Sequence, residues 1–299
     1  MIIPDFATSL LKEPSRPVNT PVWVQFQDED VRDLAFAIAS PDILGSWPSG
    51  YYPQRQIHLG LSVPWHHWFS CYKDRLAQLD ANPAPLKAHL ASLKSHRLGL
   101  RFESLLVFWL NDRDYHPFIL IAHNIQVHMH GVTRGEIDFL IQNQESKGIE
   151  HWEVALKFYL GEWDYSPEQW YGIERKDTLA RKLTRSVTHQ FEYTEALGYP
   201  IDVRRLILKG RLFYPMNQTS QVPAWVNSGH LWGYWGHVLP ELDAQAMTGT
   251  GRVWRKASRA EWLTRRPVDT HSVDPWSTER QGLWLCDGIY PGRLMLRGV

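Results

Sequence analysis

The chain has almost no cysteine: Cys71 and Cys286 are the two among 299 residues. A disulfide framework is excluded, and their spacing fits no zinc site. There is no net charge either, with 32 basic against 32 acidic side chains. No global basic field exists to attract nucleic acid, so any cationic surface that meets a polyanion must be local. No apolar run approaches the roughly eighteen residues of a membrane span. The opening MIIPDFATSLLKEP lacks the basic start and continuous apolar stretch of a signal peptide. These absences point to a reduced, cytoplasmic setting with no membrane partner. There the Asn217-Gln218-Thr219 sequon carries no meaning. Missing too are the G-x-x-x-x-G-K-[ST], G-x-S-x-G and G-x-G-x-x-G patterns. P-loop, α/β-hydrolase and Rossmann chemistries therefore have no support.

What is present is an ordinary globular balance, 43% hydrophobic and 21% charged, enough to bury a sizeable core. Trp is unusually frequent, at 15 residues. Packing is the expected role, with each indole N–H finding a partner.

The pattern divides the chain into three parts: a helical N-terminal region over 1–95, an α/β core over 96–215, and a Trp-rich, β-containing extension over 216–299. Residues 1–27 read as an extended arm. A helix is expected over Asp28–Ser40, ended by Pro41. Residues 41–64 read as a long loop. Helices follow over His67–Leu79, Ala84–Ser95 and Leu98–Leu110. Then Pro117–Met129, Glu136–Gln142 and Glu150–Leu160 read as strands, with a turn from Gly131 to Gly135 and a polar link over Asn143–Gly148. Asp177 is the expected N-cap of a helix running to Gln190, and Val203–Tyr214 is a further strand. Helix, three antiparallel strands, helix, strand predicts an α/β fold: a mixed central sheet flanked by helices. In the tail, Leu231–Val238 and Leu283–Ile289 are short apolar segments and Ser258–Leu263 a helix.

Two adjacent strands carry the chemistry. In Gly135-Glu136-Ile137-Asp138-Phe139-Leu140-Ile141, the alternation of side chains puts Glu136 and Asp138 on one face, and Ile137, Phe139 and Ile141 on the other. In His151-Trp152-Glu153-Val154-Ala155-Leu156-Lys157-Phe158-Tyr159, Glu153, Ala155 and Lys157 share a face. Ionised groups on a core sheet are costly unless paired or metal-bound. A divalent ion such as Mg²⁺ accepts one or two carboxylates and completes its shell with water and phosphate oxygens. Asp138 and Glu153 are the expected ligands, and Lys157 the group that orients water or offsets developing charge.

A G-E-h-D hairpin strand followed by h-E-x-K resembles the PD-(D/E)XK nuclease superfamily. The chain also looks like a bacterial family of unknown function placed in that superfamily, over about residues 95–215. One position departs: the lysine usually stands two residues after the second carboxylate, where this chain has Ala155. Lys157 lies on the same face one step further on. The resemblance implies a restriction-endonuclease-like core and Mg²⁺- or Mn²⁺-dependent cleavage of nucleic acid, DNA first. It also implies a third carboxylate, Glu103, reaching the metal from the preceding helix. Lys182, Arg185, His189 and Gln190 then form a phosphate-facing stripe on the later helix.

Other readings stand beside this one. A nuclease fold that binds nucleic acid or a protein without turnover would explain Ala155. A glycosidase would use two carboxylates and the Trp residues, but it leaves Lys157 unused. His128 and His130 share a strand face as a zinc pair would, yet no third ligand lies nearby, so ordinary strand histidines are expected. Trp65-His66-His67-Trp68 has the look of a stacking platform, but a core-edge cluster is the expected role.

Overall fold

The computed structural model describes residues 21–95, 97–129, 132–216, 221–237, 254–257, 259–264, 282–286 and 293–296. Most of the expected arm, the sequon, His130, Gly131 and the ends of the tail segments lie outside the described residues.

A short 3₁₀ turn at Val22–Gln25 leads into α1, Glu29–Ala39. Asp28 caps α1: its carboxylate accepts from the Asp30 and Val31 N–H groups, at 2.9 and 3.3 Å. Glu29 and Asp30 place negative charge in the first turn, where the helix dipole favours it. Inside the stretch expected as a loop, His58–Leu59 forms a two-residue strand, β1. Three helices follow: α2 (Trp65–Ala81), α3 (Ala84–Ala91) and α4 (Leu98–Asn111). Trp65 and Trp68 are buried in the first turn of α2 while His66 and His67 are exposed, so the aromatic run is a helix edge docked on the core.

The remaining strands are β2 (Phe118–Met129), β3 (Val132–Asn143), β4 (Ile149–Gly161), β5 (Trp170–Gly172), β6 (Glu195–Ala196), β7 (Tyr199–Pro200), β8 (Val203–Pro215), β9 (Trp232–Gly236), β10 (Trp254–Lys256), β11 (Gly282–Cys286) and β12 (Arg293–Leu296). Helix α5, Leu179–Arg185, lies between β5 and β6. The main sheet runs β10-β11-β12-β9-β8-β4-β3-β2, with β1 alongside β8 and β5 alongside β4. It is mixed: β2, β3 and β4 form an antiparallel meander, while β4 and β8 pair in parallel from Glu150↔Val203 to Leu160↔Phe213. A parallel pair needs a crossover, and α5 supplies it. The C-terminal strands continue the same sheet, because β9 pairs with β8 and β12 with β9.

Helices pack on both faces. Trp152, Val154, Leu156, Phe158 and Leu160 of β4 meet α1, α2 and α4 in one large cluster, which holds the fully buried Trp109 and Phe102. The opposite face of β4 meets Leu179, Leu183 and Phe191 in a second cluster. The strand is thus covered on both sides, which explains its near-continuous apolar run. The 3₁₀ turn Arg259–Trp262 stands where a helix was expected over Ser258–Leu263; Trp262 and Leu263 are buried against the first cluster. Gly135 does not form the expected turn. It lies within β3, opposite Val127, because the β-favouring Val132 and Thr133 carry the strand back towards the hairpin tip.

Among the described residues, no helix is long and apolar enough to cross a membrane.

Candidate functional site

The β3–β4 ladder runs from Gln142↔Ile149 to Phe139↔Trp152 and stops. The next pair in register would be Asp138 and Glu153. There the strands part, and the Asp138 side chain takes the backbone donor that the ladder leaves free. Its Oδ2 accepts from the Val154 N–H at 2.8 Å. Opposite Asp138, β2 is irregular: Asn124 has φ 53, between the pairs His123↔Phe139 and Ile125↔Ile137. The regular alternation of β3 breaks here. Phe139 and Ile141 join the first cluster, as expected, but Ile137 packs with Leu140 in a third.

The opening becomes a cleft of about 780 Å³. Glu103 from α4, Asp138 from β3 and Glu153 from β4 all line it. Removal from water raises the pKa values of Asp138 and Glu103. Asp138 is pushed up to about 8, first by burial, then by the charge of Glu153, with Glu103 adding to it. Glu103 is pushed up to about 7 by burial and by Glu136 and Glu153. The Val154 N–H and Lys182 act the other way on Asp138, and Lys182 does so on Glu103.

These shifts carry a stability consequence. A carboxyl that titrates near 4 in the unfolded chain and near 8 in the fold costs stability as pH rises between those values, and costs nothing below them. Asp138→Asn is therefore expected to raise the Tm of the metal-free protein by about 2–4 °C at pH 8. The difference should close towards pH 4. Melting curves across that range check it; an equal difference at both ends would show that charge is not the cause.

Helix α5 brings the cation. Its N-cap is Thr178, whose Oγ1 accepts from the Arg181 N–H at 3.2 Å, and not Asp177 as expected. Leu179 and Leu183 anchor the helix in the second cluster. Lys182 lies beside them, 9% exposed, and its Nζ donates to Glu153 Oε1 at 2.8 Å and to Gln190 Oε1 at 3.2 Å. Gln190 also donates to Glu153 Oε1, and the Ser186 hydroxyl donates to Gln190 at 3.0 Å. The helix continues from Ser186 to Gln190 as a π turn. A π turn absorbs an extra residue, so Gln190 falls where the seventh residue after Lys182 would lie on a regular helix, nearly above it.

The expected polar stripe therefore splits. Lys182 and Gln190 point inward to the carboxylates, while Arg185 and His189 stand exposed on the lip of the cleft. Lys157 also lines the cleft but does not meet Asp138 and Glu153 as expected. Its Nζ pairs with Asp177 Oδ2 at 2.7 Å, and the Tyr159 hydroxyl points to the same oxygen at 3.4 Å. Four residues of strand separate Lys157 from Glu153, about 13 Å. The lysine at the carboxylate centre is Lys182. Its signal in the sequence is its place on the apolar stripe: Leu179, Lys182, Leu183 and Ser186 follow the i, i+3, i+4, i+7 spacing of a buried helix face.

The donor set suits a hard cation. Glu153 is buried, and while its Oε1 takes both Lys182 and Gln190, its Oε2 has no hydrogen-bond partner among the described residues. A buried carboxylate oxygen left unpaired is costly, and Mg²⁺ or Mn²⁺ is a partner that fits hard oxygen. As the side chains stand, no three His, Cys, Asp or Glu among the described residues are gathered into a metal-holding group. A pair of carboxylates with water and phosphate completing the shell is the arrangement open to this cleft.

One family model, described as "Domain of unknown function (DUF1853)", matches residues 32–287. No curated protein and no solved structure matches the chain.

Proposed function

The chain belongs to the DUF1853 family of unknown function, and from the chemistry of its cleft we propose a metal-dependent nuclease that hydrolyses phosphodiester bonds, with DNA as the expected substrate. One observation carries the reading. Three carboxylates from two strands and a helix line one cleft with a buried lysine, and one Glu153 oxygen has no hydrogen-bond partner among the described residues. The resemblance of the β3 and β4 sequences to the PD-(D/E)XK superfamily supports it, as does the third carboxylate on α4.

Asp138 and Glu153 would hold Mg²⁺ or Mn²⁺, with Glu103 beside them. The ion, when bound, supplies Lewis-acid polarisation of the phosphoryl oxygen. The other roles belong to the chain. Lys182 places positive charge where negative charge builds on the phosphoryl group. Gln190 fixes Lys182 and Glu153 relative to each other. Arg185 and His189 line the approach and contact flanking phosphates. Glu103, with its pKa near neutrality, can hold or release a proton at working pH. The cytoplasmic setting read from the sequence belongs to the same proposal.

Single-stranded, duplex and branched substrates with Mg²⁺, Mn²⁺ or EDTA give the test. Cleavage is expected with either metal and not with EDTA. Glu153→Gln should weaken Mn²⁺ binding, read by electron paramagnetic resonance, and excess metal should recover part of the rate. Absence of cleavage in every combination, with nucleic acid still bound, would favour the second reading, a binding protein on a nuclease-like fold. That reading draws on Ala155 and on the pairing of Lys157 with Asp177.

A further inference from the structure

Lys157 is left over by the carboxylate centre. It shares the cleft, and it is not spent on fold stability alone, since 31% of its side chain is exposed and so is 40% of that of Asp177. Pairs this open contribute little to stability. The geometry around Asp177 is more informative. One carboxylate oxygen accepts from an ammonium and a phenol that project from the same face of β4, two residues apart. Tyr159 is fully buried beneath it. Two donors on a rigid strand thus converge on one anionic oxygen. Asp177 comes from the turn before α5, and its carboxylate does not cap that helix. Lys176 and Arg181 also line the cleft.

We infer that Lys157 and Tyr159 form a second phosphate-binding position, about 13 Å along β4 from Glu153, which Asp177 occupies in the free protein as an internal stand-in for phosphate. The ligand is a non-scissile backbone phosphate of the nucleic acid whose scissile phosphate lies at Asp138 and Glu153. The inference rests on the nuclease reading. It makes Lys157 a determinant of substrate length and affinity, and Asp177 a competitor that substrate must displace. Asp177 can turn outward to water, because it is the more exposed partner and its only side-chain bonds among the described residues are to Lys157 and Tyr159.

A double-mutant cycle on binding tests this. The probes are fluorescently labelled duplex and single-stranded oligonucleotides in EDTA, read by anisotropy from about 50 to 200 mM salt. Asp177→Asn should tighten binding about 2- to 5-fold at low salt, the range of an exposed charge pair. Lys157→Ala should weaken it, and lower the slope of log K against log salt by about 0.7–0.9, one phosphate contact. In the Lys157→Ala background the gain from Asp177→Asn should disappear.

A gain that persists without Lys157 would reduce Asp177 to a general repulsion and overturn the proposal. No gain from Asp177→Asn in a protein that melts normally would also overturn it. If Asp177→Asn melts early, Lys157→Gln decides alone, and an unchanged salt slope is the adverse result. These outcomes separate from the fate of the nuclease reading. The expected cycle without metal-dependent cleavage keeps the phosphate position and discards the enzyme. Cleavage without the cycle does the reverse. No binding by any variant discards both.

Discussion

Lys182→Ala is expected to lower kcat for nucleic-acid cleavage by about 10²–10³-fold, the usual loss when one preorganised donor to developing negative charge is removed. The expectation comes from placement. Lys182 reaches Glu153 at 2.8 Å from a helix face otherwise filled by Leu179 and Leu183. A buried lysine is costly unless its charge is used, and its partner here is the carboxylate whose other oxygen has no hydrogen-bond partner among the described residues. Loss of rate could also follow from misfolding, since breaking a buried pair costs about 3–5 kcal/mol. Metal affinity separates the two causes. Removing a positive charge beside Glu103, Asp138 and Glu153 should make Mn²⁺ bind at least as tightly as in the wild type while turnover is lost. A misfolded site would lose both. Lys157→Ala is the contrast: its loss should appear in KM, because it stands at the far end of the cleft. Turnover by Lys182→Ala within a few-fold of wild type would remove this lysine from the chemistry.

The sequence located the elements well because their signals are local. β4 is readable from its β-favouring run, α4 from Phe102, Leu105, Leu106 and Trp109 at helical spacing, and the end of α1 from Ser40 before Pro41. Asp138 and Glu153 were legible for a related reason, whereas Glu103 was expected from the family resemblance. Charge at a position whose neighbours are buried on both sides is anomalous, and local parity exposes it. Which cation meets those carboxylates was not legible. Parity alone puts Lys157 on the face of Glu153, and both line the cleft, but parity is silent on distance along the strand. It is equally silent on a partner such as Asp177, which arrives from twenty residues away. Lys182 belongs to a crossover helix, and a crossover's docking depends on tertiary packing. The π turn that aligns Gln190 with Lys182 has no reliable sequence signature. The break at Asp138 faces an irregular residue, Asn124, on the neighbouring strand, a backbone event that no pattern within β3 reveals.

Gly210→Ala is expected to remove more than about 4 kcal/mol of stability, which lies in the exceptional range for a single substitution. Gly210 sits in β8 directly opposite Lys157 in the longest parallel ladder of the sheet, with φ +133. A Cβ added there would lie 1.8 Å from the Lys157 carbonyl oxygen, 2.7 Å from its carbon and 2.9 Å from its nitrogen. All three are backbone atoms of a strand covered on both faces, so no side chain can swing aside. Relief requires β4 and β8 to separate, which costs ladder hydrogen bonds and opens the packing of both clusters. The positive φ adds strain that an L side chain rarely tolerates. A drop in Tm of more than about 10 °C follows at this chain length, or failure to accumulate folded protein. Gly50 provides the control: it also has positive φ, at +85, but open space where its Cβ would stand. Gly50→Ala should cost only the conformational part, about 1 kcal/mol. Equal losses at the two glycines would mean that the close approach of β8 to Lys157 contributes nothing. The expected inequality places the backbone of Lys157 under direct constraint from β8, which holds this side of the cleft in register with Glu153.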